Sequence, residues 1–272
     1  MQKDDHMDHE AISKLPRAVA LSWGIVKESQ RGPKREMSIK KIVDAAIAIA
    51  DKDGLSAVSM SRVAASLGFT AMSLYRYIPS KDDLLLLMQD AVCAIPIPPE
   101  EKDIDWRESM REYVRATINV FVEHPWYGDI PISGVPVTPN NLQIIDWALR
   151  PMRDFPLNDY EKISIILLLS SYARSTGIIQ RDIDRAMRTG ASPAVVSGLD
   201  YGAALRQLVT PERFPNLDPI IRSGAYTEEN VNENTVGNDF DFGLERILDG
   251  IEHYLAFRMP VVPVASDTSK KK

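Results

Sequence analysis

Residues 58 to 81 read Val-Ser-Met-Ser-Arg-Val-Ala-Ala-Ser-Leu-Gly-Phe-Thr-Ala-Met-Ser-Leu-Tyr-Arg-Tyr-Ile-Pro-Ser-Lys, the pattern of two short helices joined by a glycine turn. Ser59 offers a hydroxyl to the free amides that open the first helix, which turns Val63, Ala64 and Leu67 to one face. Gly68 permits a sharp reversal, because glycine enters left-handed backbone without steric penalty. The second helix begins at Thr70 and sends Leu74 and Ile78 inward, one turn apart. Ala71, Met72, Ser73, Tyr75, Arg76 and Tyr77 then share the outward and end-on surface. Two helices crossing steeply around so short a turn form a helix-turn-helix, which lays its second helix in the major groove of DNA.

Outward from this motif the chain continues in helical period. Ser38 caps a helix in which Ile39, Ile42, Val43, Ala46, Ile49 and Ala50 recur, and Asp53-Gly54 ends it. Pro79 stops the second motif helix, and Ser80 with Asp83 makes a capping-box-like start for the next, from Lys81 to about Ala94. Pro96, Pro98 and Pro99 mark a boundary. Beyond it, helical spacing predicts elements over 105–123, 140–155, 159–188, 193–208 and 239–257, with a mobile loop over 223–238. Leu142, Ile145, Leu149 and Met152 are expected to face inward from the second of these, and Phe242 from the last. The run Ile165-Ile166-Leu167-Leu168-Leu169 is too apolar to face water on any side. The organisation read from the sequence is a flexible extension with a basic arm over 1–35, a helix-turn-helix unit over 36–95, a helical body over 96–262 and a disordered tail over 263–272.

Ala64, Leu67, Gly68, Ser73, Leu74, Tyr75 and Lys81, with Ser80-Lys81-Asp82-Asp83-Leu84 following, resemble the DNA-binding domain of TetR-type transcriptional repressors. The phrase from Asp241 to Gly250, Asp-Phe-Gly-Leu-Glu-Arg-Ile-Leu-Asp-Gly, is similar to the subgroup with a tetracycline-repressor-like C-terminal domain. The resemblance implies an all-α protein with an N-terminal three-helix DNA-binding domain and a larger ligand-binding and dimerisation domain. It assigns phosphate contacts to Ser59, Ser61, Thr70, Tyr75, Tyr77 and Lys81, and leaves Ala71, Met72, Ser73 and Arg76 for base edges. The helix from Lys81 would connect head to body, and the helices over 159–188 and 239–257 would pair with those of a second subunit as a four-helix bundle. A small-molecule effector would sit in the body, with Tyr113, Phe121, His124, Trp126, Trp147 and Tyr172 as candidate lining. The metal-chelating His of the tetracycline-binding pattern has no counterpart in Asp129-Ile130-Pro131-Ile132-Ser133, which argues against a metal-tetracycline effector.

Totals agree with this reading. The 272 residues suffice for two domains, and 44% hydrophobic with 26% charged residues is ordinary globular composition. The net charge of −6 hides an asymmetry: residues 27–81 hold ten Lys/Arg against five Asp/Glu, a local +5, and the rest of the chain carries −11. A basic head neutralises phosphates whatever the sign of the whole. Arg31-Gly32-Pro33-Lys34-Arg35 fits both a minor-groove arm and a solvated linker. No apolar run approaches the roughly 18 to 20 residues that cross a bilayer, and the polar, acidic first ten residues lack a secretory pattern, so a cytoplasmic protein without membrane partner is expected. Cys93, the single cysteine, lies among Val92, Ala94 and Ile95 and reads as a small buried hydrophobe. His6 and His9 lie in a tail that solvation explains, and neither metal nor cofactor is expected. Without zinc, glycine-loop, paired-cysteine or nucleophile-elbow motifs, an enzyme is not expected either. A ligand-independent DNA-binding or DNA-organising protein and a helical protein-binding module are the alternatives.

Overall fold

In the computed structural model, which describes residues 12–25, 37–100, 105–132, 134–229 and 236–258, every regular element among the described residues is helical. Helix α1 (Arg17–Ser22) buries Ala18, Val19, Ala20 and Leu21, so part of the extension expected to be flexible is a packed helix. Four consecutive apolar side chains find cover against the connector helix, and the Trp23 indole donates to the Val137 carbonyl at 2.8 Å. The acidic N-terminus with His6 and His9, the basic segment 31–35, Ser133 and the tail 263–272 lie outside the described residues.

Four helices build the head: α2 (Ile39–Asp53), α3 (Met60–Ser66), α4 (Ala71–Tyr75) and α5 (Lys81–Val92). Three serines fix where they begin. Ser38, Ser59 and Ser80 accept backbone N–H bonds from Lys41, Arg62 and Asp83 at 3.3, 3.2 and 3.0 Å, each cap contributing about 1 kcal/mol. Between α3 and α4, Gly68 has φ +78°, the left-handed geometry the turn demands. Ile42, Val43 and Ala46 of α2, Val63 and Ala64 of α3, Leu74 and Ile78, and Leu84 and Met88 of α5 meet in one core. Helix α4 is shorter than its spacing suggests. Arg76 and Tyr77 form a closing turn, because the residue before Pro79 is held out of helical backbone.

The body consists of α6 (Trp106–Glu123), α7 (Pro139–Leu149), α8 (Asp159–Arg188), α9 (Pro193–Ser197), α10 (Gly202–Leu208), α11 (Asp218–Ser223) and α12 (Asp239–Arg258). Asn158 and Glu161 close a capping box at the start of α8. Met110, Tyr113 and Val114 of α6, Trp147 of α7, Ile166 and Leu169 of α8 and Leu244 and Leu248 of α12 form a second core. The element expected over 140–155 stops at Leu149 and passes into a 3₁₀ turn containing Pro151. Leu142 is exposed and Trp147 with Ala148 faces inward instead, while Phe242 on α12 is exposed too. The single helix expected over 193–208 is divided at Gly198, whose φ of +78° breaks the helical path.

Helix α8 departs from its expected burial. Ile165, Ile166 and Leu169 are buried, yet Leu167 is 66% and Leu168 49% exposed, with Ile163, Ile179 and Ile183 also open to solvent. The helix is also long and apolar enough, by length and composition, to cross a membrane. Counting only unbroken apolar residues missed this, because Ser170, Ser171 and Ser175 interrupt the run without making it strongly polar.

Polar contacts join head and body at the ends of α5 and α2. At the end of α5 the buried Asp90 carboxylate accepts from the Asn140 backbone N–H at 2.9 Å and from Asn140 Nδ2 at 3.1 Å, capping α7 from another helix. At the end of α2, Asp51 meets the 3₁₀ turn Pro125–Asp129 that follows α6.

Candidate nucleic-acid interface and effector region

Helix α4 is anchored by one fully buried side chain, Leu74, and by Ile78 just past its end, so its remaining side chains are free for the surface. Met72 is 73% and Tyr75 44% exposed. Arg76 and Lys81 are exposed and form no ion pair among the described residues. Ser61 and Thr70 are exposed, and the Thr70 hydroxyl lies 3.1 Å from that of Ser73. Ser59 is exposed and its oxygen already accepts the Arg62 amide, which leaves its O–H to donate outward. Ala71, Ser73 and Tyr77 are half-buried. None of the ten sequence-derived DNA candidates is buried, and they lie on α3, on α4, on the residues that flank these two helices and on the first residue of α5. The sequence reading passed over Arg62, an exposed cation in the first turn of α3 that pairs with Asp53 of α2. Its charge within the motif was the signal that could have found it.

The six effector candidates divide among four places. Tyr113 and Trp147 stack edge-on at 5.9 Å inside the body core, where burial pushes the Tyr113 hydroxyl upward in pKa. Tyr172 of α8 donates its hydroxyl to the Phe240 carbonyl at 2.6 Å. Phe121 lies against Gly177 of α8 and 5.0 Å from the Tyr127 ring. His124 and Trp126 leave the body: Trp126 Nε1 donates to Asp51 Oδ1 at 2.6 Å, and His124 Nδ1 lies 2.8 Å from the same oxygen. Trp126 is 2% exposed and belongs to the head core, because α6 ends at His124-Pro125 and the chain bends towards α2. An open depression of about 450 Å³ lies between the start of α8 and the end of α12, lined by Tyr160, Ser164, Leu168 and Tyr254 among others. It includes none of the six candidates.

Cys93 is buried with its sulfur 3.4 Å from the Tyr127 hydroxyl. Burial pushes the thiol up to about 11, so it stays protonated and behaves as the small buried hydrophobe the sequence suggests. Among the described residues no group of three or more His, Cys, Asp or Glu is placed to hold a metal ion.

The arrangement has counterparts. Residues 42–88 match the family described as "Bacterial regulatory proteins, tetR family", and residues 98–255 match "Tetracyclin repressor-like, C-terminal domain". The chain is 34% identical over 252 residues to the HTH-type transcriptional repressor DrrR1 of Streptomyces coeruleorubidus, covering 90% of this chain and 88% of that one. Its fold is similar to that of apo ActR from Streptomyces coelicolor, with TM-score 0.66 and 25% identity over 84% of this chain and all of that one. ActR in complex with actinorhodin aligns with TM-score 0.64 and 26% identity, covering 82% and 99% of the two chains. With a helix-turn-helix head and a helical body both matched, the chain belongs to the TetR family of transcriptional regulators and has a tetracycline-repressor-like C-terminal domain.

Proposed function

We propose that the protein is a ligand-responsive transcriptional repressor whose homodimer occupies a palindromic operator and leaves it when a small molecule binds the body. The observation that carries this reading is α4, a helix held from beneath by Leu74 and Ile78 while Met72, Tyr75 and Arg76 stay exposed. In this reading residues 36–95 are the DNA-binding unit and 96–262 the effector-binding and dimerisation unit. Ser59, Ser61, Thr70, Tyr75, Tyr77 and Lys81 hold phosphates, and Ala71, Met72, Ser73 and Arg76 face base edges. Ligand release requires the effector to bind the DNA-incompetent geometry more tightly than the operator-bound one. Support for an effector comes from ActR, a similar protein seen in complex with actinorhodin. Tyr113, Phe121, Trp147 and Tyr172 remain the candidate lining, whereas His124 and Trp126 are reassigned to the head–body joint.

Support for a dimer comes from the exposed apolar side chains of α8, joined on α12 by Phe242, Tyr254 and Phe257. Apolar surface of this extent on two neighbouring helices marks a protein interface, and a second copy covers it in a four-helix bundle. The test is selection of duplexes from a random pool. The reading predicts enrichment of a palindrome with half-sites about 34 to 36 Å apart, bound by one dimer. A folded dimer that enriches nothing contradicts it.

A further inference from the structure

The turn Pro125–Asp129 is gripped from both sides. On the head side, Asp51 Oδ1 is the shared partner of Trp126 Nε1 and His124 Nδ1, and Trp126 with Ile130 is buried in the head core. On the body side, two arginines of α8 reach the same turn. Arg181 Nη1 donates to the Pro125 carbonyl at 2.9 Å and to Asp129 Oδ1 at 2.8 Å, while Arg174 Nη2 donates to the carbonyls of Gly128 and Ile130 at 3.1 and 3.3 Å. The fit is close: a Cβ at Gly128 would stand 2.8 Å from Arg181 Nη1 and 3.1 Å from Ile178 Cγ1. The turn therefore cannot be displaced from α8 without breaking these bonds.

Rigid-body geometry gives the turn a task. The head is tied to the start of α7 by Asp90–Asn140 and by Trp23–Val137, bonds that fall within three residues of one another on the body side and so act as one pivot. One pivot leaves the head free to rotate. A second attachment removes that freedom: Val120, Trp126 and Ile130 seat in the head core, Cys93 lies 3.4 Å from the Tyr127 hydroxyl, and the Asp51 bonds fix the orientation of the turn against α2. Helix α8 packs on α6 and carries the exposed apolar face, so its position registers events inside the body and at the subunit interface.

We propose that Asp51 is the positioning residue through which α8 sets the orientation of the recognition helix, with the turn Pro125–Asp129 as the relay. The proposal rests on the DNA-binding reading above. Its sign can be told from simple electrostatics: removing a carboxylate from a DNA-binding head should tighten binding to phosphates, whereas freeing the head to rotate weakens binding, because fewer molecules hold the competent geometry.

The test uses the full-length chain and the duplex that the wild type selects from a random pool. Operator affinity is measured for Asp51→Ala, Asp51→Asn, Arg181→Ala and the Asp51→Ala/Arg181→Ala double variant. Nitroxide labels at Ser56→Cys, an exposed head position, report the distance distribution between the two heads of the free dimer. The proposal predicts that Asp51→Ala weakens operator binding by about tenfold and broadens the distribution. Asp51→Asn should fall between, since its amide oxygen still accepts from Trp126, and it carries the same readout should the alanine variant unfold. The double variant should bind no more weakly than the worse single one, as members of one relay are not additive. Affinity that is unchanged or tighter, a loss of affinity with an unaltered distribution, or additive losses would each overturn the relay. Failure of the wild type to select any duplex would instead remove the DNA-binding reading itself.

Discussion

Arg76, the residue that closes α4, carries an exposed guanidinium among hydroxyl and methyl groups, which suits bidentate contact to guanine in the major groove. Arg76→Ala should cost about 1 to 3 kcal/mol on the selected duplex and relax preference at one base pair, whereas Lys81→Ala should weaken all duplexes alike and lower the salt slope by about 1. Affinity measured across single-base variants separates the two roles; equal loss on every variant for Arg76→Ala reassigns it to phosphate. The caps and turns that present these side chains were legible in the sequence because they are local: Ser59, Gly68 and Pro79 each act within a few positions of themselves. His124 and Trp126 were not. Their partner, Asp51, is more than 70 residues away, and only the bend after Pro125 brings it near, so aromatic content in a helical body pointed to a ligand instead. No local pattern records such a meeting.

Between elements, the packing of α6 against α8 and α12 makes two predictions. Gly177 of α8 lies so near α6 that an added Cβ would stand 2.7 Å from Phe121 Cβ. Gly177→Ala should therefore lower stability by about 1 to 3 kcal/mol through overpacking, despite alanine's better helix propensity; an unchanged or raised melting temperature contradicts the close fit. Across α6 and α12, Arg111 and Arg107 donate to Glu245, and Arg107 also reaches Asp249 and Glu252. The Arg111 guanidinium, with Arg107, holds the Glu245 carboxyl down to about 2 from its ordinary 4.5. Because the folded value is the lower one, this contribution is complete above about pH 4.5 and is lost as pH falls through about 2. Glu245→Gln should reduce stability at pH 7 by on the order of 1 kcal/mol, given partial solvent screening, and flatten the acid limb of the stability curve in that window. A variant with the wild-type acid limb contradicts the assignment. The existence of the longer helices was readable from period and caps, whereas the six-residue helices α1 and α11 were not expected. What escaped was any ending set by tertiary choice, as in α4, α7 and the division at Gly198.

At the scale of the whole molecule, the positive charge read over residues 27–81 and the exposed apolar face of α8 belong to one proposed design, a DNA-binding head whose excess charge comes largely from its N-terminal arm, on a body proposed to pair through apolar helices. The sequence showed how apolar α8 is, but not which of its side chains the fold leaves open, Leu167 and Leu168 among them. Leu167→Glu with Ile179→Glu should yield a folded monomer by sedimentation and reduce affinity for the full palindrome by about a hundredfold or more. A dimer that survives both charges places the interface elsewhere. The central claim, that exposed side chains of α4 read DNA, is met most directly by a salt titration on the selected palindrome, comparing wild type with Tyr75→Ala/Arg76→Ala. The account predicts steeply salt-dependent binding by the wild type, with the double variant losing its preference for the palindrome over a scrambled duplex while keeping its fold. A double variant that still prefers the palindrome as the wild type does would contradict it.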